Sequence, residues 1–439
     1  MARTAAGLPA GTRLTDFVSL GVLTARFPLD VVQEALLSTG RISQRERDLP
    51  AHVMVYYGIA LALYADVSTR EVLRCLLEGV RWLGDPAAGA EPAGPSGISQ
   101  ARTRLGAEPL EQLYRTTVAP VATAQTPGAW YRGWRVMSLD GTTLDVGDTT
   151  ANRRAFGGPA SARGVNATGA FPQLRLVGLL ETGTHVLCAA QLGAYAMGEV
   201  TLAAAVVPAL TRDMLCLADR GFLGFDLWQQ AAATGAALVW RVKASQHLPV
   251  LERFSDGSYR SEVRWNSHCR SADRTPSAVR VLAYTLPGVN DTTYRVVTTI
   301  LEPARAPAAE LAALYQERWE IETAFDEFKT HLRGAQRVLR SKTPELVRQE
   351  AWGFLLAHFA IRALMHEAAL GALPKARDPD TLSFTHALRV TRRTLPHLAA
   401  ISPSRPATLS PSDSPRIAHG GRPASPRTAR HPRRQTQDE

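Results

Sequence analysis

The sequence predicts an α/β protein: a domain built on a mixed sheet with a β-rich insertion, preceded by a helical N-terminal domain and followed by C-terminal helices. Three observations carry this. Up to about residue 125, apolar residues recur at helical spacing. From Trp134, three strand-like runs give way to alternating helix and strand. Residues 245–300 then return to short apolar runs broken by Gly and Pro turns.

Element by element, Pro28 precedes a helix ending near Gly40, and Pro50 precedes the apolar run Val53–Leu63. Ser68 and Glu71 form a capping-box pattern ahead of Val72–Trp82. A Gly/Pro/Ala-rich linker, Gly84–Gly97, follows. Ser99–Leu105 and Leu110–Val118 read as two short helices exposing Arg102, Arg104 and Arg115. A helix-turn-helix would fit there, but short basic helices are common. Strands are expected at Arg135–Val146, Gln173–Leu180, His185–Ala194, Met214–Ala218 and Leu238–Val242, with helices at Val200–Thr211 and Phe225–Ala233. The insertion holds strands Val279–Tyr284 and Tyr294–Ile300, and Leu346–Leu364 reads as a buried helix after Thr343, Pro344 and Glu345. This divides the chain into 1–125, a catalytic unit 130–345 with its insertion at 245–300, a helical segment 346–402, and a basic Pro/Ser/Arg-rich tail, 403–439, read as disordered.

With 439 residues the chain can bury a sizeable core, and its formal net charge of +10 favours an anionic partner, nucleic acid above all. Its four cysteines, Cys75, Cys188, Cys216 and Cys269, show no zinc or disulfide spacing. There is no signal-like N-terminus and no run long enough to span a membrane, so a cytosolic location is expected.

The chemistry concentrates in Tyr315–Lys329. Leu314, Ile321, Phe325, Phe328 and Leu332 fall on one flank of a helix. Tyr315, Arg318, Glu322 and Lys329 lie beside that flank, within an arc of about 60°. They spread over about 21 Å of axis, enough to follow several phosphates. A carboxylate between two cations suits a metal-dependent phosphodiester enzyme, the acid holding the metal and the bases the strand. A solvated face with an Arg318–Glu322 pair is the plainer reading.

Two aspartates end apolar strands. Asp140 precedes Gly141 and Thr142, a pattern that also fits a hairpin turn. Asp219 precedes Arg220, Gly221 and Phe222, where it would equally serve as a cap. Ligands of α/β sheets collect beyond the carboxyl ends of strands. With Glu322 the two supply hard oxygen donors that favour Mg²⁺ or Mn²⁺, and a pair of such ions suits in-line phosphoryl displacement.

At these residues the chain resembles the DDE transposases of the insertion sequence 4 family. The resemblance rests on Asp140–Thr142, on Ala218–Phe222, and on the Tyr-x2-Arg-x3-Glu-x6-Lys signature at Tyr315, Arg318, Glu322 and Lys329. It covers roughly residues 14–400, and Leu14–Leu83 looks like the family's N-terminal domain. It implies a ribonuclease-H-like catalytic domain in which Asp140, Asp219 and Glu322 bind metal, two ions of Mg²⁺ or Mn²⁺. Tyr315, Arg318 and Lys329 would contact double-stranded DNA at the terminal inverted repeats; apart from the resemblance, Arg220 beside Asp219 would reach a phosphate or pair locally. Cleavage at the element ends and strand transfer into target DNA would follow, with at least a homodimer in the DNA complex and a nucleoid-associated location. The tail departs from the family pattern, which leaves open a DNA-binding protein without activity. Another ribonuclease-H-like metal nuclease is the second alternative.

Asp145 and Asp148 read as turn residues near Asp140, and Asp326 as a rival to Glu322. Trp265 would stack on a base or fill a hairpin core, and the His268–Cys269 pair is assigned nothing.

Overall fold

A computed structural model describes residues 20–44, 49–65, 67–82, 93–159, 171–265, 275–285, 293–334, 337–371 and 377–393. The tail, most of the 84–97 linker and the His268–Cys269 pair lie outside these residues. The strands are β1 (Trp130–Tyr131), β2 (Trp134–Asp145), β3 (Gln173–Glu181), β4 (Val186–Ala194), β5 (Met214–Ala218), β6 (Ala237–Arg241), β7 (Glu252–Arg253), β8 (Tyr259–Val263), β9 (Ser277–Thr285) and β10 (Thr293–Thr298). They form one sheet in the order β4-β3-β2-β5-β6-β10-β9-β8-β7, with β1 paired to β2. β2, β5 and β6 run parallel at the centre, while β3 and β4 continue antiparallel on one side. This is the ribonuclease-H-like arrangement. The insertion strands extend the same sheet, because β10 pairs antiparallel with β6.

β5 is buried along its whole length, as expected of a parallel strand covered on both faces. Side chains alternate between those faces. Met137, Leu139, Cys216, Ala218 and Trp240 pack under helices Glu199–Val206 and Phe225–Ala233, with Trp228 edge-on to Trp240 at 5.3 Å. Val136, Leu215, Leu217 and Val239 face the opposite way, onto Leu311 and Tyr315. The helical run that begins at Ala308 covers this second face.

The N-terminal helices and the 27-residue helix Pro344–Leu370 share one core with β3 and β4. Helix Ala51–Leu63 is buried from Met54 onward, since an apolar stretch without a polar stripe must be covered all round. Gly353 allows the long helix to press on it, since a Cβ there would stand 2.4 Å from the Gly58 carbonyl oxygen, while Gly58 makes room for Leu110. The predicted capping box is half realised, with the Glu71 N–H donating to Ser68 Oγ at 3.2 Å.

Three expectations need correction. Asp140 lies inside a continuous strand, with Gly141 paired to Val177, so there is no Asp-Gly hairpin. Arg102 is buried, because its guanidinium donates to Gln349 Oε1 at 2.8 Å and Ser341 Oγ at 3.0 Å. The signature segment is no single α-helix: Tyr315–Trp319 is a 3₁₀ turn, Glu320–Asp326 is α-helical and Glu327–Leu332 is π-helical. The spacing shows helical periodicity but not these changes of pitch, which occur often at functional sites.

Candidate active site

Parallel pairing sets the first two carboxylates. Ser138 pairs with Leu217 and Leu139 with Ala218, so Asp140 and Asp219 come next on adjacent central strands. By alternation, Asp140 shares a face with Val136, and Asp219 with Leu215 and Leu217. Both therefore stand on the face covered by the 308–332 helical run. That run brings the third acid. Arg318 Nη1 donates to Asp140 Oδ2 at 3.0 Å and Nη2 reaches Glu322 Oε1 at 3.5 Å. Tyr315 donates its hydroxyl to the Ala218 carbonyl at 3.2 Å, tying the same run to the residue before Asp219.

The surroundings are short of compensating charge. Burial lifts the Asp140 carboxyl to about 6; the Gly141 N–H and Arg318 oppose that rise, while Asp219 and Glu199 reinforce it. Asp219 Oδ1 is buried without a hydrogen bond, its nearest cation being Arg241 Nη1 at 3.6 Å. Burial opposes the charge on Arg318, but the oxygens of Tyr315, Asp140, Asp219 and Glu322 outweigh that and hold it protonated. Burial likewise pushes the Tyr315 phenol far above its ordinary range.

The four signature residues thus differ in exposure. Glu322 is half exposed, Tyr315 and Arg318 are buried, and Lys329 is intermediate. Burial and Arg333 both depress the Lys329 ammonium. Arg220 is exposed in the turn after Asp219. Asp145 accepts from Gln173 at 2.8 Å, exposed Asp148 pairs with Arg153, and Asp326 accepts from Thr330 at 2.5 Å. Trp265 is exposed in the insertion.

Two neighbours of the site gave no sequence signal. Glu199 approaches Asp140 because Gly141 has no side chain: a Cβ there would lie 2.9 Å from the Glu199 carboxyl carbon. As an acid in the first turn of a helix it looks ordinary. His185, in the β3–β4 turn, is the other. It meets Glu320 and Asp380 in the one place, among the described residues, where three metal-type donors lie within 4.8 Å of one another.

The carboxylates of Asp140, Asp219 and Glu322 suit a hard divalent cation. The donors are all oxygen, one buried oxygen has no hydrogen bond, and a guanidinium already spans two of the acids.

Fold and carboxylates together describe a nuclease-like strand-transfer domain, and comparison with known proteins makes the class specific. The family described as "Transposase DDE domain" matches residues 132–360, and "Insertion element 4 transposase N-terminal" matches 17–115. The chain belongs to the DDE transposases of the insertion sequence 4 family; it is a DNA transposase. It is 28% identical over 387 residues to the transposase InsG for insertion sequence element IS4 of Escherichia coli (strain K12), covering 86% of this chain and 83% of that protein. The putative transposase InsZ of the same organism is 24% identical over 230 residues, 52% of this chain and 73% of that protein. Among solved structures, a piggyBac transposase synaptic complex with hairpin DNA matches over 87% of this chain and 81% of its own, with a TM-score of 0.44 and 11% identity. A DDE domain implies use of a divalent metal. No helix among the described residues is long and apolar enough to cross a membrane.

Proposed function

We propose that this transposase cleaves DNA at the ends of its own element and joins the freed ends to target DNA, using Asp140, Asp219 and Glu322 as metal ligands. The observation that carries the reading is the register of β2 and β5, which puts Asp140 beside Asp219 on the face to which Arg318 brings Glu322. The triad oxygens are set more widely than the His185 group, and two ions would span such a spacing. Ions about 4 Å apart, each about 2.1 Å from its oxygens, leave outer ligands up to roughly 8 Å from each other. Mg²⁺ or Mn²⁺ bound there would acidify the attacking water and stabilise the leaving 3′ oxygen.

The protein's own groups supply the rest. Arg220, next to Asp219 in the chain, and Lys329 would reach phosphates of the terminal repeat. Arg318 and Tyr315, buried beside the acids, would contact the DNA end at the scissile phosphate once it enters the site, Arg318 exchanging a carboxylate for phosphate oxygen. Trp265 offers an exposed face for a base. Handling two element ends requires at least a dimer in the DNA complex, at work in the nucleoid.

Asp219→Ala should abolish Mg²⁺-dependent nicking of DNA carrying the element boundary while leaving gel-shift binding within about threefold, since it removes a metal ligand and no phosphate contact. Nicking by that variant at the parent rate would overturn the assignment. A protein that binds the boundary but never nicks it with Mg²⁺ or Mn²⁺ would be a DNA-binding descendant without activity.

A further inference from the structure

The turn joining β3 to β4 is buried, unusually for a hairpin connection: Thr182, Thr184 and His185 are each 2% exposed or less. His185 holds φ +56, a left-handed conformation costly for a side chain with a Cβ and most often retained where something depends on it. Its ring lies among charges from three other elements. Nε2 is 3.0 Å from Glu320 Oε2 and 3.3 Å from Asp380 Oδ1, while Nδ1 is in contact with the Arg362 guanidinium and 3.7 Å from Glu327 Oε1. Arg362 Nε also donates to Glu327 Oε2 at 2.8 Å.

Glu320 opens the short helix that carries Glu322, and Glu327 immediately follows it. Seven residues at about 100° each bring positions 320 and 327 to within about 20° of one another on the helix, whereas 322 stands about 200° from 320. His185 therefore holds the Glu320 end of one helix face directly and the Glu327 end through Arg362, which meets Nδ1 and donates to Glu327, and Glu322 projects from nearly the opposite face. Buried Ile321, Ala324 and Phe325 seat this helix on the core. Hydrogen bonds at both ends fix it.

We propose that His185, with Glu320 and Glu327, is a rotational clamp that positions Glu322 for metal binding. The proposal rests on Glu322 being a metal ligand. A competing use of the same atoms, a metal ion on His185, Glu320 and Asp380, conflicts with the geometry. Arg362 presents donors to Nδ1, so Nε2 carries the ring hydrogen and has no lone pair for an ion. The same hydrogen serves the clamp, because Nε2 donates to Glu320 whether the ring is neutral or protonated.

The test uses the full chain, a linear DNA carrying the element boundary, and Mg²⁺ as the titrant. Glu320→Ala should raise the Mg²⁺ concentration for half-maximal cleavage about 10-fold, the low end for residues that orient metal ligands. Its rate at saturating Mg²⁺ should stay within about threefold of the parent, a split that a general loss of folded protein does not produce. Glu320→Gln keeps an oxygen within reach of Nε2–H and should restore near-parent Mg²⁺ dependence. An unchanged Mg²⁺ requirement in Glu320→Ala would overturn the clamp. So would Glu320→Gln behaving like Glu320→Ala, which would make charge rather than the hydrogen bond the active feature. His185→Asn, which tolerates the left-handed backbone, should match Glu320→Ala and add little to it in the double variant; if it does not fold, the two Glu320 variants decide. A stoichiometric transition metal that survives EDTA dialysis in the parent but is absent from His185→Asn would assign the cluster to metal and end the proposal. Asp219→Ala, run beside these, reports separately on the catalytic carboxylates: cleavage by it removes the triad reading, whatever Glu320→Ala shows.

Discussion

The cost of keeping Asp140 charged can be measured by removing the charge. Burial raises its carboxyl from 3.8 to about 6, so in the metal-free protein the folded state holds its proton more tightly than the unfolded chain does. Between those values the unfolded state binds fewer protons, and stability therefore falls as pH rises through about 6. A shift of about 2 units at about 1.4 kcal/mol each makes the ionised carboxylate cost about 3 kcal/mol above pH 7. Asp140→Asn mimics the protonated form in shape and lacks the charge. In EDTA it should be more stable than the parent by about 3 kcal/mol at pH 7.5 and by about 1.5 kcal/mol at pH 5, while cleaving no DNA. Urea denaturation at a series of pH values gives the difference directly, and titrations common to both proteins cancel. Mg²⁺ should stabilise the parent more than the variant, because the ion binds only the folded site. A variant no more stable than the parent, or a gain that does not change with pH, would refute the argument from burial.

Two further perturbations test the contacts around this centre. Arg318→Met keeps the bulk and removes the cation that offsets burial at Asp140, so that carboxyl should titrate above about 6. In EDTA the loss of stability between pH 6 and 8 should then be steeper than in the parent; an unchanged slope in urea denaturation would show that Arg318 does not hold Asp140. Gly353→Ala forces a Cβ to 2.4 Å from the Gly58 carbonyl and must push the two helices apart, costing about 1–3 kcal/mol by thermal denaturation; an unchanged melting temperature would mean the contact is looser than described.

Much of the site was legible because strand period and register are properties of sequence pattern. The apolar runs Val136–Leu139 and Leu215–Ala218 read as buried strands, and each ends in an aspartate. Once β2 and β5 pair in parallel, period two puts both acids on one face. The Tyr315–Lys329 spacing likewise gave the apolar flank correctly, with Ile321, Phe325, Phe328 and Leu332 all buried. Exposure was not legible. Arg318 and Tyr315 look solvent-ready by composition, yet the first meets carboxylates and the second a backbone carbonyl contributed from more than ninety residues away in the chain. Arg102 misled in the same way, its partners Ser341 and Gln349 lying 239 and 247 residues on. His185 left no trace, because a lone histidine after a Thr-Gly-Thr turn shows neither its burial nor its four charged neighbours.

The three carboxylates proposed as metal ligands are held by unlike means. Asp140 lies within β2, paired to Gly178 of β3, and directly follows Leu139, which pairs with Ala218 of β5. Asp219 directly follows β5, which is paired to β2 and β6. Moving either acid would break main-chain hydrogen bonds, whose loss in a buried sheet costs more than a metal ligand needs to shift. Glu322 has no such ladder. It stands half exposed on a seven-residue helix between a 3₁₀ turn and a π turn, located by the Arg318 bridge on its own side and the His185 network on the other. Side-chain hydrogen bonds can be exchanged one at a time where a strand ladder cannot. Any adjustment of the site to DNA or to ions therefore falls first on Glu322, and the residues that hold its helix decide how well the third ligand meets the two fixed ones.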